Sequence, residues 1–189
     1  VTDLIQQNIA IYDKGGEQHY DIASALIKSI RGSDPNAAVY WLARMLEGGE
    51  DIEFIARRLI ILASEDVGNA DPRALSVATD AHYAIKNIGM PEARIILAQA
   101  TTYLARAPKS NASYIAINEA LAFVKDNPTI EVPTHLRNHH PHKSQYKYPH
   151  SYPNHWVEQK YMNDNYRFFD SSGLGYEKMQ DDYLKRIKK

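Results

Sequence analysis

The chain of 189 residues is long enough for one or two domains, and it sets 22 Lys and Arg against 23 Asp and Glu for a formal net charge of −1. A balance so close to zero gives no global electrostatic drive toward nucleic acid or an anionic membrane, so any such contact has to be local. The absence of cysteine excludes disulfide frameworks, thiolate metal sites and cysteine nucleophiles, and no apolar run approaches the roughly 18–20 residues that span a bilayer.

An opening at Val1 rather than Met suggests a piece of a longer protein. His19 to Arg31 reads as an amphipathic helix with Ile22, Leu26 and Ile30 inward, ended by Gly32. Asp34-Pro35 then sets an N-cap acceptor before a proline at the first helical position, where its missing N–H costs nothing. The helix it starts carries Val39, Leu42, Met45 and Leu46 and stops at Gly48-Gly49. From Asp51 to Val67, Ile52, Ile55, Leu59 and Leu62 make one stripe, while Phe54 and Ile61 fall off it. Apolar residues nearly all round predict a central, buried helix, and Gly68 supplies its terminator.

Asp71-Pro72 repeats the start signal for a helix running through Tyr83 and Ile85 to Ile88, closed by Gly89. Pro91 opens the next, with Ile96, Ala100, Tyr103, Leu104 and Ala107 in register and Pro108 at its end. Asn111 caps a last helix whose stripe is Tyr114, Ile117, Leu121 and Val124. Core and interface stripes look alike in one sequence, so which helix faces meet another copy stays open. The short links favour antiparallel neighbours, and the fold class predicted is all-α, an antiparallel helical array.

From about Asn127 to His155 the texture changes: five of the nine prolines and six of the eight histidines lie here, among Tyr146, Tyr148 and Tyr152. Proline at this density forbids a long helix, while the aromatic residues are good packing material. The stretch is predicted to be an ordered, irregular arm lying over the helical body. Helices are expected to resume near Trp156 to Met162 and near Glu177 to Ile187.

Four constellations could carry chemistry. His135, His139, His140, His142, His150 and His155 cluster in the arm, with ligand-like spacings at His135/His139 and His139/His142. No HExxH and no cysteine accompany them, and a packing or solvated role is the better reading, with no metal site expected. Arg137, Lys143 and Lys147 could face phosphates while Tyr146 or Tyr148 stacks on bases, which makes these five the DNA-contact candidates. Glu65 and Asp66 are adjacent and diverge by about 100° on a helix, a poor arrangement for paired acid and base. Neither Gly15-Gly16 nor Gly48-Gly49 leads into Gly-Lys-Ser/Thr, so no phosphate-cradling loop is present and no catalytic or cofactor-binding residue is assigned.

The connector Ser64 to Leu75, SEDVGNADPRAL, preceded by IARRLIILA, resembles the C-terminal region of the RarA/MgsA family of replication-associated AAA+ ATPases, whose eukaryotic relatives include the Werner-helicase-interacting ATPase. Tyr12 to Gly49, Tyr103 to Leu121, VPTHLRN at Val132 to Asn138 and YKYPHSYPNHWVEQKY at Tyr146 to Tyr161 agree with the same pattern. Between the last two segments only His139 to Gln145 stands where the family usually carries a longer Gly- and Lys-containing stretch. The resemblance implies a collar-like helical domain of the clamp-loader kind, following an AAA+ module that holds ATP and magnesium. It implies residues 1–15 as a remnant of the lid and linker, 16–127 as an oligomerisation domain, and 128–189 as arm and C-terminal helices packing on it. It further implies homotetramers, a DNA-stimulated ATPase in the whole protein acting at stalled forks and in recombination and repair, and single-strand-binding protein and other replication proteins as partners. A cytoplasmic, nucleoid-associated location without a membrane goes with that layout. Three functions are therefore expected to compete: an oligomerisation scaffold first, a DNA- or protein-docking module on the 128–160 arm second, and a metal-dependent enzyme on the histidines last.

Overall fold

Capping side chains mark where two of the helices begin, whereas Asn111, expected to cap the helix after it, makes no side-chain cap hydrogen bond. In the computed structural model, which describes residues 16–139, 141 and 145–189, the Asp34 carboxylate accepts the Ala37 N–H at 2.9 Å and that of Asp51 accepts the Glu53 N–H at 3.0 Å. Each satisfies a donor that the first turn leaves orphaned. The described residues form seven α-helices and no strand: α1 Glu17–Arg31, α2 Pro35–Glu47, α3 Ile52–Leu62, α4 Arg73–Ile88, α5 Ala93–Arg106, α6 Ala112–Asp126 and α7 Gly175–Ile187. The all-α expectation holds. The predicted lid remnant at residues 1–15 and the candidates Lys143, His140 and His142 lie outside the described residues.

The core is built by α1 to α5. Ile22, Leu26 and Ile30 of α1 meet Leu42 and Met45 of α2, Ile55, Leu59 and Leu62 of α3, and Leu97 and Leu104 of α5, all buried. α4 contributes Ala74, Ala78, Ala81 and Ile85. Spaced four, three and four apart, these form one stripe, and its small side chains let α4 lie close against α3 and α5. Tyr83 lies on the opposite face and is exposed, and Ile88, in register but at the last position of the helix, is exposed as well.

The expected helix from Asp51 to Val67 changes pitch on the way. α3 is α-helical to Leu62, and Ala63–Val67 continues as a π-helical turn followed by a single 3-10 turn at Gly68–Ala70. The wider turn puts both Asp66 and Val67 inside. Gly68 takes φ 52°, and a Cβ there would stand 2.9 Å from the Ser110 carbonyl oxygen. Glycine is required at this crossing because the connector and the α5–α6 link approach backbone to backbone, with the Ser110 N–H donating to the Asp66 carbonyl at 2.8 Å.

The helix expected near Trp156 to Met162 does not form; residues 156–160 have no regular secondary structure and a bend follows. Its backbone is held by the rest of the arm instead. The Gln159 amide pairs with Lys147 in both directions, accepting its N–H at 3.1 Å and donating to its carbonyl at 2.7 Å. The His135 Nε2–H donates to the Lys160 carbonyl at 2.7 Å, and Asn163 donates to the Glu131 carbonyl at 2.7 Å. Contacts of long sequence separation override helical propensity here. The second expected helix is present as α7, starting two residues early at Gly175.

Candidate functional site

The connector that carries the resemblance is a packing device. Asp66 is buried and its Oδ1 accepts from Arg31 Nε at 2.8 Å, tying the π turn to the end of α1. Lys109 reaches the Ser33 hydroxyl at 3.1 Å and the Ala105 carbonyl at 3.0 Å from the other side. Burial lowers the pKa of that lysine, and the charge of Asp66 opposes the shift. Glu65 is half-buried and takes no part in the Asp66–Arg31 pair, so the two adjacent carboxylates diverge as their helical spacing predicts.

Asp71 is the centre of a second cluster. Its carboxylate accepts the Arg73 N–H at 3.1 Å, the Arg73 Nε at 3.2 Å and the Tyr103 hydroxyl, which joins α4 to α5. Burial pushes the Asp71 carboxyl up, but the hydrogen bonds from Tyr103 and Arg73 outweigh it and hold the group below the usual carboxylate range. A folded-state pKa lower than the unfolded one stabilises the protein above the ordinary carboxylate pKa of about 3.9, and that stabilisation fades as pH falls through the folded value. Tyr103→Phe is therefore expected to cost roughly 1–3 kcal/mol at pH 7 by stripping a donor from a buried carboxylate. The gap to the parent protein, read from urea unfolding, is expected to narrow toward pH 2–3.

α6 is unlike the five helices before it. Ala112 is its only buried residue, while Ile117, Leu121 and Val124 are 54%, 61% and 58% exposed and Tyr114 and Ile115 are exposed too. Its anchors are its first turn, beside the connector through Asn69 and Ser113 at 3.5 Å, and Phe123, whose ring packs on Tyr166 and Phe168 at 4.6 and 5.5 Å. Where its last turn meets the arm, a mainly apolar groove of about 330 Å³ opens between Phe123, Pro128, Val132, Met162 and Phe168. α7 adds a smaller open stripe of Tyr176, Met179 and Tyr183.

The DNA-contact candidates are scattered in their commitments. Arg137 donates to the Val132 carbonyl at 2.9 Å and pairs with Glu131 at 3.4 Å, so its guanidinium is engaged locally. Lys147 Nζ reaches the Glu158 carbonyl at 3.4 Å. Tyr146 and Tyr148 flank Lys147 in an irregular segment and are both exposed. Among the histidines, His135 is taken up by Lys160, and His139 is exposed. His150 and His155 converge with their Nδ1 atoms 3.1 Å apart. No group of three or more His, Cys, Asp or Glu suited to a metal occurs among the described residues, and no helix among them is long and apolar enough to cross a membrane.

Capped helices around one five-helix core, with a sixth apolar helix left open beside an irregular arm, define an all-α helical-array domain. A family model described as MgsA AAA+ ATPase C terminal matches residues 32–188, and one described as AAA C-terminal domain matches residues 1–31. The chain belongs to the MgsA (RarA) family, as its C-terminal region. It is 46% identical over 169 residues to a Bacillus subtilis protein named Replication-associated recombination protein A, covering 86% of this chain and 40% of that one. The Escherichia coli K12 protein of the same name is 49% identical over 138 residues, covering 73% of this chain and 31% of its own. ATPase WRNIP1 of Dictyostelium discoideum is 44% identical over 135 residues, 71% of this chain and 15% of that one. The chain thus spans less than half the length of each of these relatives.

Proposed function

We propose that this chain is the self-association and scaffold region of a DNA-dependent AAA+ ATPase, and that α6 carries the contact between copies. The observation behind this reading is the exposed run Tyr114, Ile117, Leu121 and Val124 on a helix that is apolar nearly all round. Such a helix is ordinarily buried, and clustered exposed side chains of this kind mark an interaction surface. Each Ile, Leu or Val fully covered by a neighbour contributes about 1.5–3 kcal/mol before the costs of association. A homotetramer is the assembly that the family resemblance implies. The activity of the whole protein belongs to the same proposal: ATP and magnesium in the AAA+ module, DNA at stalled forks, single-strand-binding protein among the partners, and a nucleoid-associated location. Light scattering of this chain over a concentration series tests the first part. A mass approaching four times the 21.5 kDa chain is expected, and a strict monomer at about 50 µM would remove the reading.

A second reading has the arm docking a nucleic acid strand. It is favoured by Tyr146 and Tyr148, which flank Lys147 in an irregular segment and are both exposed for base stacking. Substituting Arg137, Lys143 and Lys147 together by Gln and measuring single-strand binding against salt decides it. The reading requires weaker binding and a shallower salt slope; an unchanged slope counts against it.

A further inference from the structure

His150 and His155 are five residues apart in a stretch without regular helix, and the chain turns back between them. Pro149–Ser151 and Pro153–His155 are single 3-10 turns, and Asn154 and His155 take φ of 58° and 54°. Two successive side-chain-bearing residues in the left-handed region are uncommon, although Asn and His enter it more readily than most. The outcome of the turn is a convergence of two ring nitrogens: Nδ1 to Nδ1 is 3.1 Å, the ring centroids are 4.6 Å apart and the rings meet at 61°. The Tyr148 ring lies against His150 at a centroid distance of 5.2 Å and limits its rotation. Both residues are exposed, so the turn lies at the surface.

A metal–imidazole bond is about 2.0–2.1 Å long. Two adjacent nitrogen ligands on one ion, at roughly 90–109° as square-planar and tetrahedral geometries require, then stand about 2.9–3.4 Å apart. The observed separation of 3.1 Å falls inside that window. We propose that His150 and His155 form a two-imidazole site for a divalent ion of borderline softness, Zn2+, Ni2+ or Cu2+, held through both Nδ1 atoms. No third His, Cys, Asp or Glu among the described residues completes it, so water takes the remaining positions. Neutral nitrogen donors suit these ions and not Mg2+ or Ca2+, which require oxygen ligands. Both residues belong to the histidine cluster of the arm, but the ligand-like spacings lie at His135/His139 and His139/His142, and this pair is brought together by the turn.

The test is titration of the whole chain with NiCl2 and with ZnCl2, by calorimetry and by NMR of the histidine rings, with MgCl2 as control. One ion per chain is expected, moving the His150 and His155 ring signals together, with no response to Mg2+. His150→Ala and His155→Ala are each expected to weaken binding at least about tenfold, since either leaves a single imidazole ligand. Replacing His139, His140 and His142 together by Ala is expected to change it by less than about twofold, because the pair needs no further protein ligand. The NMR signature in the unsubstituted chain stands independently of how the variants fold. The proposal is overturned by no binding at millimolar metal, by binding that survives both single substitutions, or by binding that follows the other three histidines. The first of these results would leave the short Nδ1–Nδ1 contact as a hydrogen bond between one protonated and one bare nitrogen.

Discussion

Leu121→Glu is expected to convert the chain from an oligomer to a monomer at concentrations near 50 µM, and adding Ile117→Glu is expected to complete the conversion. Leu121 is 61% and Ile117 54% exposed within one chain, so charging them costs the isolated fold no more than about 0.5 kcal/mol. In an associated state the same carboxylates would be covered by a neighbour without a partner, at a cost of several kcal/mol each. Every 1.4 kcal/mol is a factor of ten in the dissociation constant, so a weakening of at least about a hundredfold is expected. The urea midpoint, measured below the dissociation concentration, should stay where it was. Tyr83→Glu, a still more exposed position on α4, should leave the mass unchanged. If the double variant keeps its oligomeric mass, α6 is not the contact.

The second large effect is expected at Gly175, where α7 begins against the connector. Gly175 takes φ 54°, and a Cβ there would fall 2.2 Å from the Ala70 carbonyl oxygen and 2.8 Å from Pro108 Cγ. Neither a backbone carbonyl nor a proline ring can move aside cheaply, and the positive φ adds about 1–2 kcal/mol for any residue with a side chain. Gly175→Ala is thus expected to lift α7 off the body instead of being absorbed in place. The release would also expose Glu177, which is 1% exposed in the docked helix and accepts the Ser172 N–H at 2.8 Å. Because α7 is peripheral, its detachment is a local opening. Amide exchange across residues 175–187 should accelerate at least about tenfold, equivalent to about 1.4 kcal/mol, while α3 keeps its protection. Unchanged exchange in α7 would show that the contact tolerates a side chain.

Much of the helical body is legible in the sequence because its signals are local. Asp34-Pro35 and Asp51 state where helices start, Gly32, Gly48 and Gly89 lie where helices stop, Gly68 ends the π turn, and the inward residues of α1 are the ones its period selects. The parts that are not legible depend on contacts distant in sequence. The π turn at Ala63–Val67 keeps a helical pattern and differs only in pitch, which periodicity does not resolve. Trp156 to Met162 has helix-compatible composition, but Lys147 and His135 take its polar groups from elsewhere in the arm. The stripe on α6 is as apolar as those of the core helices, and only the arrangement of the other five shows that nothing in the described residues covers it. The same holds for the candidate sites: residue type nominated Arg137, Lys147, Tyr146 and Tyr148, whereas only the fold separates the locally engaged cations from the two open rings.

If α6 is where copies of this chain meet, amide exchange followed residue by residue as chain concentration rises will show it. Protection across Tyr114 to Val124 is expected to increase with concentration in step with the scattered mass, while protection in the α3 core stays constant. Association without any change in α6 protection would contradict it.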